Sequence, residues 1–405
     1  MRDLQDRLFW LAKETEIKRG ETTDVYFLNT IRVLREKGLE PEVVMEVYAR
    51  SVPYVHPWGV VTGIMEVAKL LEGLPVNVGA MEEGEIFLTA PGSVLYEPVL
   101  QIEGRYPTFA AYENPILGLL TSSTSVSTKA ARVKSAAGDK QVFSFGTRRS
   151  HPALAPLIER AAYLGGFDQV SNVLGARLMG KKPVGTMPHA LIQCIGNPAA
   201  AWNAFDEVLP QEIPRVALID TFYDEKTEAI MALEALGNRL YGVRMDTPVS
   251  RRGDLRKIVE EVRWELNIRG GKNVRLFVSG GLDEREVGEL ASLVDGFGVG
   301  TCVSSPPPID FSAKIVEVKV GSKSEYRAKR GDIGGRKAVY RKEVCFEDHV
   351  VLAEQPRPTD TTALLHPLLR KGRIVRKSDS LDKIRANVLK KVGRLRSLVP
   401  RLLSP

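Results

Sequence analysis

The segment VFSFGTRRSHP, residues 142–152, changes character at its centre. Its first residues are typical of a buried strand, and Phe145 closes that run. Gly146 then breaks the pattern, and three side chains that can carry positive charge follow: Arg148, Arg149 and His151. A core strand that delivers cations at its own end indicates a sheet whose carboxyl edge faces an anion.

Short apolar runs of the same kind recur up to residue 306. They are QVFSF (141–145), VALID (216–220), LYGVRMD (240–246), VRLFVS (274–279) and DGFGVG (295–300), with DQVSNV (168–173) and VGTMPH (184–189) as weaker candidates. Helical stretches separate most of them. Strands that are apolar on both faces and alternate with helices predict a parallel α/β domain, either a distorted barrel or an open sheet.

The flanking regions predict a different organisation. Residues 1–60 read as mostly helical, with two helices in LREKGLEPEVVMEVYAR (34–50), and residues 75–105 read as a small β layer. Residues 108–138 predict a helix in two segments that split near 121–125. After three prolines at 306–308 the alternation of SAKIVEVKV and KAVYRKEV predicts a return to β structure, followed by a basic amphipathic helix from 377. We therefore divide the chain into domains 1–110, 111–306 and 307–405.

The charge is distributed unevenly along the 405 residues. The net charge is +7, but residues 311–405 carry 23 Lys and Arg against 10 Asp and Glu, so the remainder carries −6. This distribution argues against a uniformly cationic nucleic-acid binder. We interpret the basic helix at the end as a solvated cationic face packed on the body, with a nucleic-acid or acidic-membrane contact as the alternative.

Targeting and cysteine patterns point to the cytoplasm. The N-terminus carries no long apolar run, and no stretch of about 18 apolar residues predicts a membrane span. Three cysteines, Cys194, Cys302 and Cys345, lie far apart, which indicates neither a disulfide framework nor a metal site.

The ends of the predicted strands carry residues that suit a phosphorylated sugar. In a barrel or doubly wound sheet, function belongs at these ends. Glycine turns after the last two strands, at Gly280, Gly281, Gly298 and Gly300, expose backbone N–H groups to a phosphate. Arginines grip a second anion. Asp220 and Asp246 suit ribose hydroxyls or Mg²⁺.

Taken in order, these segments resemble the nicotinate phosphoribosyltransferase family in its compact archaeal-like form. The resemblance covers roughly residues 20–305. It rests on TTDVYFLNT (22–30), STKAARV (127–133), SFGTRRSH (144–151), GFDQVSNVLGARLMG (166–180), GTMPHA (185–190), IDTFYD (219–224), GVRMD (242–246), VSGGLD (278–283) and GVGT (298–301). It implies an irregular α/β barrel with a smaller α+β domain built from both chain ends, and a homodimer or higher oligomer with shared active sites.

The resemblance also implies a reaction and residue roles. Nicotinate and 5-phosphoribosyl 1-pyrophosphate would give nicotinate mononucleotide and pyrophosphate, a pentosyl transfer in NAD salvage that uses Mg²⁺. Asp24 and Tyr26 would come from the neighbouring subunit, with Tyr26 and Phe145 on the two faces of the pyridine ring. Arg148 would face the nicotinate and pyrophosphate groups, Arg244 and Asp246 the ribose phosphate and base, and the four glycines the 5′-phosphate. Arg149, next to Arg148 at the same strand end, is a further candidate for substrate binding.

His189 matches the histidine that ATP-using relatives phosphorylate, so ATP is a possible co-substrate. Ala190 follows it, where those relatives tend to carry a polar or acidic residue. A neutral imidazole that binds substrate phosphate is the alternative role. Some relatives carry a cysteine-rich zinc knuckle near the C-terminus, but only Cys345 lies in that region, so we expect no zinc.

Three alternatives remain open. Quinolinate enzymes bind a second carboxylate, which Arg149 and His151 leave feasible. Nicotinamide enzymes place an aspartate in the segment where this chain has Ser171, which favours a carboxylate substrate here. The third alternative is a catalytically silent barrel whose basic tail binds nucleic acid.

Overall fold

A computed structural model of the chain describes residues 7–55, 57–89, 95–248, 250–251, 253–321 and 323–398. Contacts within the chain divide it into two compact units. Unit 1 combines both chain ends, up to Ser125 and from Pro307, and unit 2 spans Val126–Pro306. The sequence-based division used the same second boundary, but it put the first one at 110/111.

The strands are β1 Glu42–Ala49, β2 Trp58–Val61, β3 Asn77–Ala80, β4 Glu85–Leu88, β5 Pro98–Arg105, β6 Gln141–Ser144, β7 Gln169–Val170, β8 Val216–Leu218, β9 Gly242–Met245, β10 Arg275–Ser279, β11 Gly296–Val299, β12 Phe311–Val320, β13 Lys323–Tyr326, β14 Lys337–Lys342, β15 Glu347–Leu352, β16 Thr362–Ala363, β17 His366–Arg370 and β18 Arg373–Ile374.

The helices are α1 Glu14–Lys18, α2 Val25–Glu36, α3 Ile64–Leu71, α4 Tyr106–Phe109, α5 Glu113–Ala137, α6 Ala155–Leu164, α7 Val173–Leu178, α8 His189–Ile195, α9 Pro198–Val208, α10 Glu225–Leu236, α11 Leu255–Ile268, α12 Glu284–Leu290, α13 Thr301–Ser304 and α14 Leu381–Leu398. Short 3₁₀ turns occur at Ala110–Tyr112, Thr147–Arg149, Pro152–Leu154 and Gly237–Arg239.

Unit 1 is built on a seven-stranded antiparallel sheet in the order β13-β12-β1-β5-β3-β17-β18. The prediction of a second helix after Pro41 was wrong, because that segment is β1. Its residues Val43–Ala49 are all buried, and β12 and β5 pair with it on either side. A run of valines that is buried on both faces satisfies its backbone hydrogen bonds better in a central strand than in a helix. The predicted β layer at 75–105 is confirmed as β3, β4 and β5.

Unit 2 is built on a six-stranded parallel sheet in the order β7-β6-β11-β10-β9-β8. The first strand of the unit, β6, pairs with the last, β11, and the other neighbours follow chain order. This closure of last strand onto first is the pattern of an α/β barrel, interrupted between β7 and β8. The predicted α/β fold class is confirmed.

Residues 184–189 do not form the predicted seventh strand. The N–H of Val184 donates to the carbonyl of Val170 at 2.9 Å, but no ladder follows within the described residues. Pro188 lacks an N–H group, and α8 begins at His189, which leaves too little chain for a paired strand. The weaker candidate at 168–173 is a strand only at Gln169–Val170.

The predicted break in the long helix near 121–125 does not occur, because α5 runs without interruption. The serine and threonine residues near 121–125 made a break plausible, because their hydroxyl groups often compete with the hydrogen bonds of a helix. Here the hydroxyls have other partners: Ser123 donates to Thr62 Oγ1 at 2.8 Å, and Thr124 donates to the carbonyl of Thr62 at 3.1 Å.

The basic C-terminal helix α14 packs on unit 1 through a buried apolar stripe, as the solvated-face interpretation expects. The stripe consists of Ile384, Val388, Val392 and Leu395. Arg394 forms an ion pair with Glu343 at 2.8 Å. Residues 399–405 of the predicted helix lie outside the described residues. Across the described ranges, no helix is both long and apolar enough to cross a membrane.

Candidate active site

Two carboxylates meet where β8 and β9 end. Asp220 follows β8, and its Oδ2 accepts the backbone N–H of Asp246 at 2.9 Å and the hydroxyl of Thr247 at 2.9 Å. Asp246 follows β9, and its Oδ1 accepts the hydroxyl of Ser279 at 2.7 Å. The adjoining strand ends thus hold the two acids in fixed orientations.

The two carboxylates differ in exposure. The Asp220 side chain is 5% exposed and that of Asp246 is 26% exposed. Burial raises the pKa of Asp220, while Thr247 and the neighbouring His189 oppose that rise. Asp220 Oδ1 is buried and has no hydrogen-bond partner in the described part of the chain. An unpaired buried carboxylate oxygen can accept a ligand hydroxyl or a cation.

His189 faces both acids from the first residue of α8. Its Nδ1 lies 3.0 Å from the hydroxyl oxygen of Thr221. Its Nε2 lies 3.9 Å from Asp220 Oδ1 and 3.8 Å from Asp246 Oδ2. The imidazole therefore stands at the same strand ends as the carboxylates, with Nδ1 held and Nε2 directed toward anionic oxygens.

Arg244 and Phe145 form a second part of the site. Arg244 lies on β9, and its guanidinium carbon is 5.8 Å from the centre of the Phe145 ring. Its Nη2 donates to the carbonyl of Met187 at 3.0 Å, whereas its buried Nε has no partner within the described residues. Burial lowers the pKa of Arg244 from its ordinary value, and Asp246 and Asp220 oppose that shift.

Arg148 and Arg149 belong to the 3₁₀ turn that follows β6. Both side chains are exposed, and neither forms an ion pair or donates a hydrogen bond among the described residues. Arg148 lies near enough to Arg244 to lower the pKa of Arg244 by charge repulsion. Two arginines that repel each other in the absence of an anion would gain by sharing one.

The predicted glycines allow close packing at these strand ends. Gly280 has φ +90°, and a Cβ there would lie 2.9 Å from the carbonyl oxygen of Asp246. A Cβ at Gly298 would lie 2.5 Å from the Phe145 ring. Gly281 also has positive φ, at +70°, and Gly300 precedes α13. These glycines keep space next to the acid pair and the aromatic ring.

Comparisons with known proteins show the family to which the chain belongs. The model for the quinolinate phosphoribosyl transferase C-terminal domain matches residues 126–314, and the model for the N-terminal domain of the same family matches residues 24–124. Nicotinate phosphoribosyltransferase pncB1 of Mycobacterium tuberculosis is 30% identical, over 88% of this chain and 83% of the relative. The chain belongs to the pyridine phosphoribosyltransferase family.

Two solved structures match the chain over most of its length. A nicotinate-nucleotide pyrophosphorylase from Pyrococcus furiosus is 50% identical with a TM-score of 0.92, and the match covers 96% of this chain and 99% of that one. Human nicotinic acid phosphoribosyltransferase shares the fold at 22% identity with a TM-score of 0.73, over 94% and 95% of the two chains. Membership of the pyridine phosphoribosyltransferase family implies phosphoribosyl pyrophosphate and a pyridine as substrates.

Not every predicted residue of this phosphoribosyltransferase can be placed beside the others. Unit 2 brings together eight of them at the carboxyl ends of its strands: Phe145, Arg148, His189, Asp220, Arg244, Asp246, Gly280 and Gly298. Ser171 follows β7 and is half-buried. Asp24 and Tyr26 belong to unit 1, where Tyr26 is 54% exposed at the start of α2. Their contribution from a neighbouring subunit stays a prediction.

Sequence reasoning missed two buried glutamates behind the candidate site. Glu228 accepts the backbone N–H groups of Thr221, Phe222 and Tyr223 at 2.7–3.1 Å and so holds the loop after β8. Glu159, on α6, accepts the N–H of Asn172 at 3.1 Å. Both lie on helices of ordinary composition. What distinguishes these glutamates is their complete burial, which the sequence does not show.

Proposed function

We propose that the protein is a nicotinate phosphoribosyltransferase that joins nicotinate to 5-phosphoribosyl 1-pyrophosphate and releases pyrophosphate. The observation that carries the proposal is that Arg244 lies over the ring of Phe145, within electrostatic reach of Arg148 and of the acid pair. An aromatic face next to paired cations suits an aromatic carboxylate, and adjoining acids and glycine turns suit a ribose phosphate.

The reaction would need positioning more than acid–base chemistry. The pyridine nitrogen attacks C1 of the ribose as the C1–O bond to pyrophosphate breaks, so that positive charge develops on the sugar. Phe145 would hold the ring plane, and Arg148 would stabilise the departing pyrophosphate. Asp220 and Asp246, which carry negative charge beside the predicted ribose position, would stabilise the developing cation.

Three considerations support nicotinate over the other pyridines. The curated relatives from Mycobacterium tuberculosis are named for nicotinate and align over 87–88% of this chain. Structures of proteins named NadC cover only 75% of it, although 96–98% of their own chains is aligned. Ser171 stands where nicotinamide enzymes would need an acceptor for the amide, as the sequence comparison implied. Quinolinate is the main alternative substrate, because of the two family models and the similarity to the Pyrococcus furiosus enzyme.

Asp220 and Asp246 fit Mg²⁺ only in company with substrate. No group of three or more His, Cys, Asp or Glu side chains among the described residues is arranged to hold a metal. Mg²⁺ commonly uses one or two carboxylates and takes its remaining ligands from water and phosphates. The unpaired Oδ1 of Asp220 and the exposed Oδ2 of Asp246 would supply the protein ligands. The ion would neutralise pyrophosphate charge.

Coupling to ATP depends on His189. Its Nε2 faces two carboxylate oxygens at 3.8–3.9 Å, whose negative charge disfavours a covalently bound phosphoryl group on that nitrogen. We therefore propose that His189 binds substrate phosphate and that ATP is not required. A neighbouring Mg²⁺ would weaken that preference, so the ATP dependence is measured directly in the experiment below.

The experiment compares nicotinate, quinolinate and nicotinamide as substrates with phosphoribosyl pyrophosphate and Mg²⁺, each with and without ATP, and detects the nucleotide by mass. Nicotinate mononucleotide formed from nicotinate without ATP is the expected result. The same product formed only from quinolinate, with release of CO₂, would replace the proposed substrate. No nucleotide from any pyridine would leave the silent-barrel alternative.

A further inference from the structure

Glu159 is a fully buried acid behind the candidate site, with 0% of its surface exposed. It lies on α6, and its Oε1 accepts the backbone N–H of Asn172 at 3.1 Å. The N–H of Ser171 and the hydroxyl of Ser144 also lie close enough to stabilise its charged form. Glu159 Oε2 and Ser144 Oγ are both buried, and neither has a hydrogen-bond partner among the described residues, so that each can pair with the other.

Glu159 lies between two strand ends of the barrel. Ser144 is the last residue of β6 and directly precedes Phe145. Ser171 and Asn172 follow β7, which pairs with β6 only at Phe143–Gln169 and Ser144–Val170. Because the ladder is so short, backbone hydrogen bonds alone hold the two ends weakly together. The Glu159 carboxyl group supplies a second connection at the edge where the ladder stops.

No cation among the described residues is paired with this acid. The titratable side chains on the elements packed against α6 are Arg148, Arg149, His151, Arg177 and Cys302, and within the described ranges none forms an ion pair with Glu159. Burial raises the pKa of Glu159 to about 7, against the opposing effect of the Ser144 hydroxyl and the N–H groups of Asn172 and Ser171. An isolated buried carboxylate is costly, so the neutral acid is populated near neutral pH.

The surrounding sequence leaves room for this side chain. A Cβ at Gly175, on the neighbouring helix α7, would lie 2.9 Å from Cβ and Cγ of Glu159. The N-cap of the same helix, Asn172, accepts the N–H of Gly175 at 2.9 Å and donates its own N–H to Glu159. The turn that carries Ser171 is thus anchored at both ends of its short connection.

We propose that Glu159 is a positioning residue for the pyridine ring: its carboxyl group ties the end of β6 to the 171–172 turn and fixes the separation of Phe145 and Ser171. The inference rests on the proposed function, because Phe145 and Ser171 are the predicted ring and carboxylate contacts. The neutral acid does this best. It accepts N–H groups at Oε1 and donates to Ser144 at Oε2, and it places no negative charge behind an anionic substrate.

The test separates this role from general stability. Glu159→Gln reproduces the neutral acid, because its amide accepts at Oε1 and donates at Nε2. Glu159→Leu removes both bonds but keeps an apolar fill. Leu236→Ala, in the core of unit 2 on α10, is the matched control for lost stability. For each variant, kcat, the KM for nicotinate, the KM for phosphoribosyl pyrophosphate and Tm are measured.

Glu159→Leu should raise the KM for nicotinate about tenfold or more, with a much smaller change in the KM for phosphoribosyl pyrophosphate. Glu159→Gln should stay within about twofold of the wild type, and Leu236→Ala should lower Tm without changing either KM. If Glu159→Leu does not fold, Ser144→Ala removes the same bond from the strand side and should raise the KM for nicotinate alone.

Two results would overturn the inference without touching the proposed function. One is a wild-type KM for nicotinate in both Glu159→Leu and Ser144→Ala. The other is a Glu159→Gln variant as impaired as Glu159→Leu, which would mean that the charge matters. If the wild type uses quinolinate instead, the proposed function fails, but a selective rise in the KM for quinolinate in Glu159→Leu still supports the positioning role.

Discussion

The backbone N–H of Asp246 donates to Asp220 Oδ2 at 2.9 Å, so that one acid of the site orients the other. Asp220 Oδ2 also accepts the hydroxyl of Thr247, whereas its Oδ1 is buried and has no hydrogen-bond partner within the described part of the chain. Asp246 is held through Oδ1 by Ser279 and leaves Oδ2 more accessible. The two acids are therefore not equivalent: Asp220 organises the strand ends, and Asp246 is better placed for ligand.

Asp220→Asn should lower kcat/KM by about 10²–10³ while the protein remains folded. The amide oxygen can still accept the N–H of Asp246, so the loop is retained, but the negative charge beside the ribose is lost. Steady-state kinetics and Tm distinguish the two effects. Asp254→Asn, at the N-cap of α11, is the control and should leave activity unchanged. A Tm loss that accounts for the whole activity loss would argue for a structural role only.

Arg148→Ala should lower kcat/KM by about 10²–10³ with little change in Tm, because the side chain is exposed and makes no ion pair among the described residues. Arg149→Ala is the matched variant, one residue further in the same turn. Arg149 is not among the groups that act on Arg244, so we expect its loss to cost less. Equal losses in both variants would show that the turn contributes only diffuse charge.

Gly298→Ala should raise the KM for nicotinate and lower the stability by about 1–3 kcal/mol, because the new Cβ would lie 2.5 Å from the Phe145 ring and displace it. Gly118→Ala, within α5, meets no atom within 4 Å and serves as the control. It should preserve activity and favour the helix slightly. An unchanged KM for nicotinate in Gly298→Ala would show that Phe145 does not contact the pyridine ring.

Much of unit 2 could be predicted from the sequence, because its strands have a clear apolar pattern. VRLFVS, LYGVRMD and DGFGVG are apolar on both faces and end in polar or glycine-rich turns, which is the pattern of buried parallel strands. Since the carboxyl ends of such strands meet at one edge of the sheet, the site residues could be grouped from the sequence alone. Arg244 and Phe145 are brought together in this way, although they are 99 positions apart in the chain.

The rest depended on contacts that no local pattern encodes. EVVMEVYA fits a helix by its spacing and a central strand by its valines, and only pairing with β12 and β5 decides between them. Glu159 reads as an ordinary helical surface acid, since nothing nearby in the sequence tells that Ser144 and Asn172 will surround it. Tertiary burial, rather than spacing, assigns such residues their role.

Glu159 should also leave a signature in the pH dependence of stability. Its pKa rises from 4.5 to about 7 on folding, so the folded state binds the proton more tightly than the unfolded state. That contribution is fully present below about pH 4.5, shrinks as the pH rises, and is lost above about pH 7. It amounts to about 3 kcal/mol. Denaturant titrations of wild type and Glu159→Gln from pH 4 to 8 measure it.

The wild type should lose stability relative to Glu159→Gln across that range, because the glutamine has no proton to lose. Other titrating groups, including Glu113 with a pKa of about 7, contribute equally to both proteins and cancel in the difference. Parallel curves for the two proteins would contradict a neutral buried acid at this position.

Tyr26 tests whether the active sites are shared between subunits. Its ring is 54% exposed at the start of α2, and other apolar side chains of that helix are also exposed: Val25, Leu28 and Val33. Exposed apolar residues on one helix are typical of a surface that another chain covers. Tyr26→Ala should therefore raise the KM for nicotinate with little loss of Tm, because the ring is not part of the core of its own chain.

A mixed dimer makes the prediction specific. If Tyr26 of one subunit completes the site that contains Arg148 of the other, a dimer of Tyr26→Ala and Arg148→Ala chains has one doubly defective site and one intact site. Chains with different affinity tags, co-expressed and purified through both, should then recover about half of the wild-type activity per dimer. Dimers of two Arg148→Ala chains, purified the same way, give the background. Activity no higher than half that of a dimer of two Tyr26→Ala chains, assayed at nicotinate concentrations below KM, would place Tyr26 in the site of its own subunit.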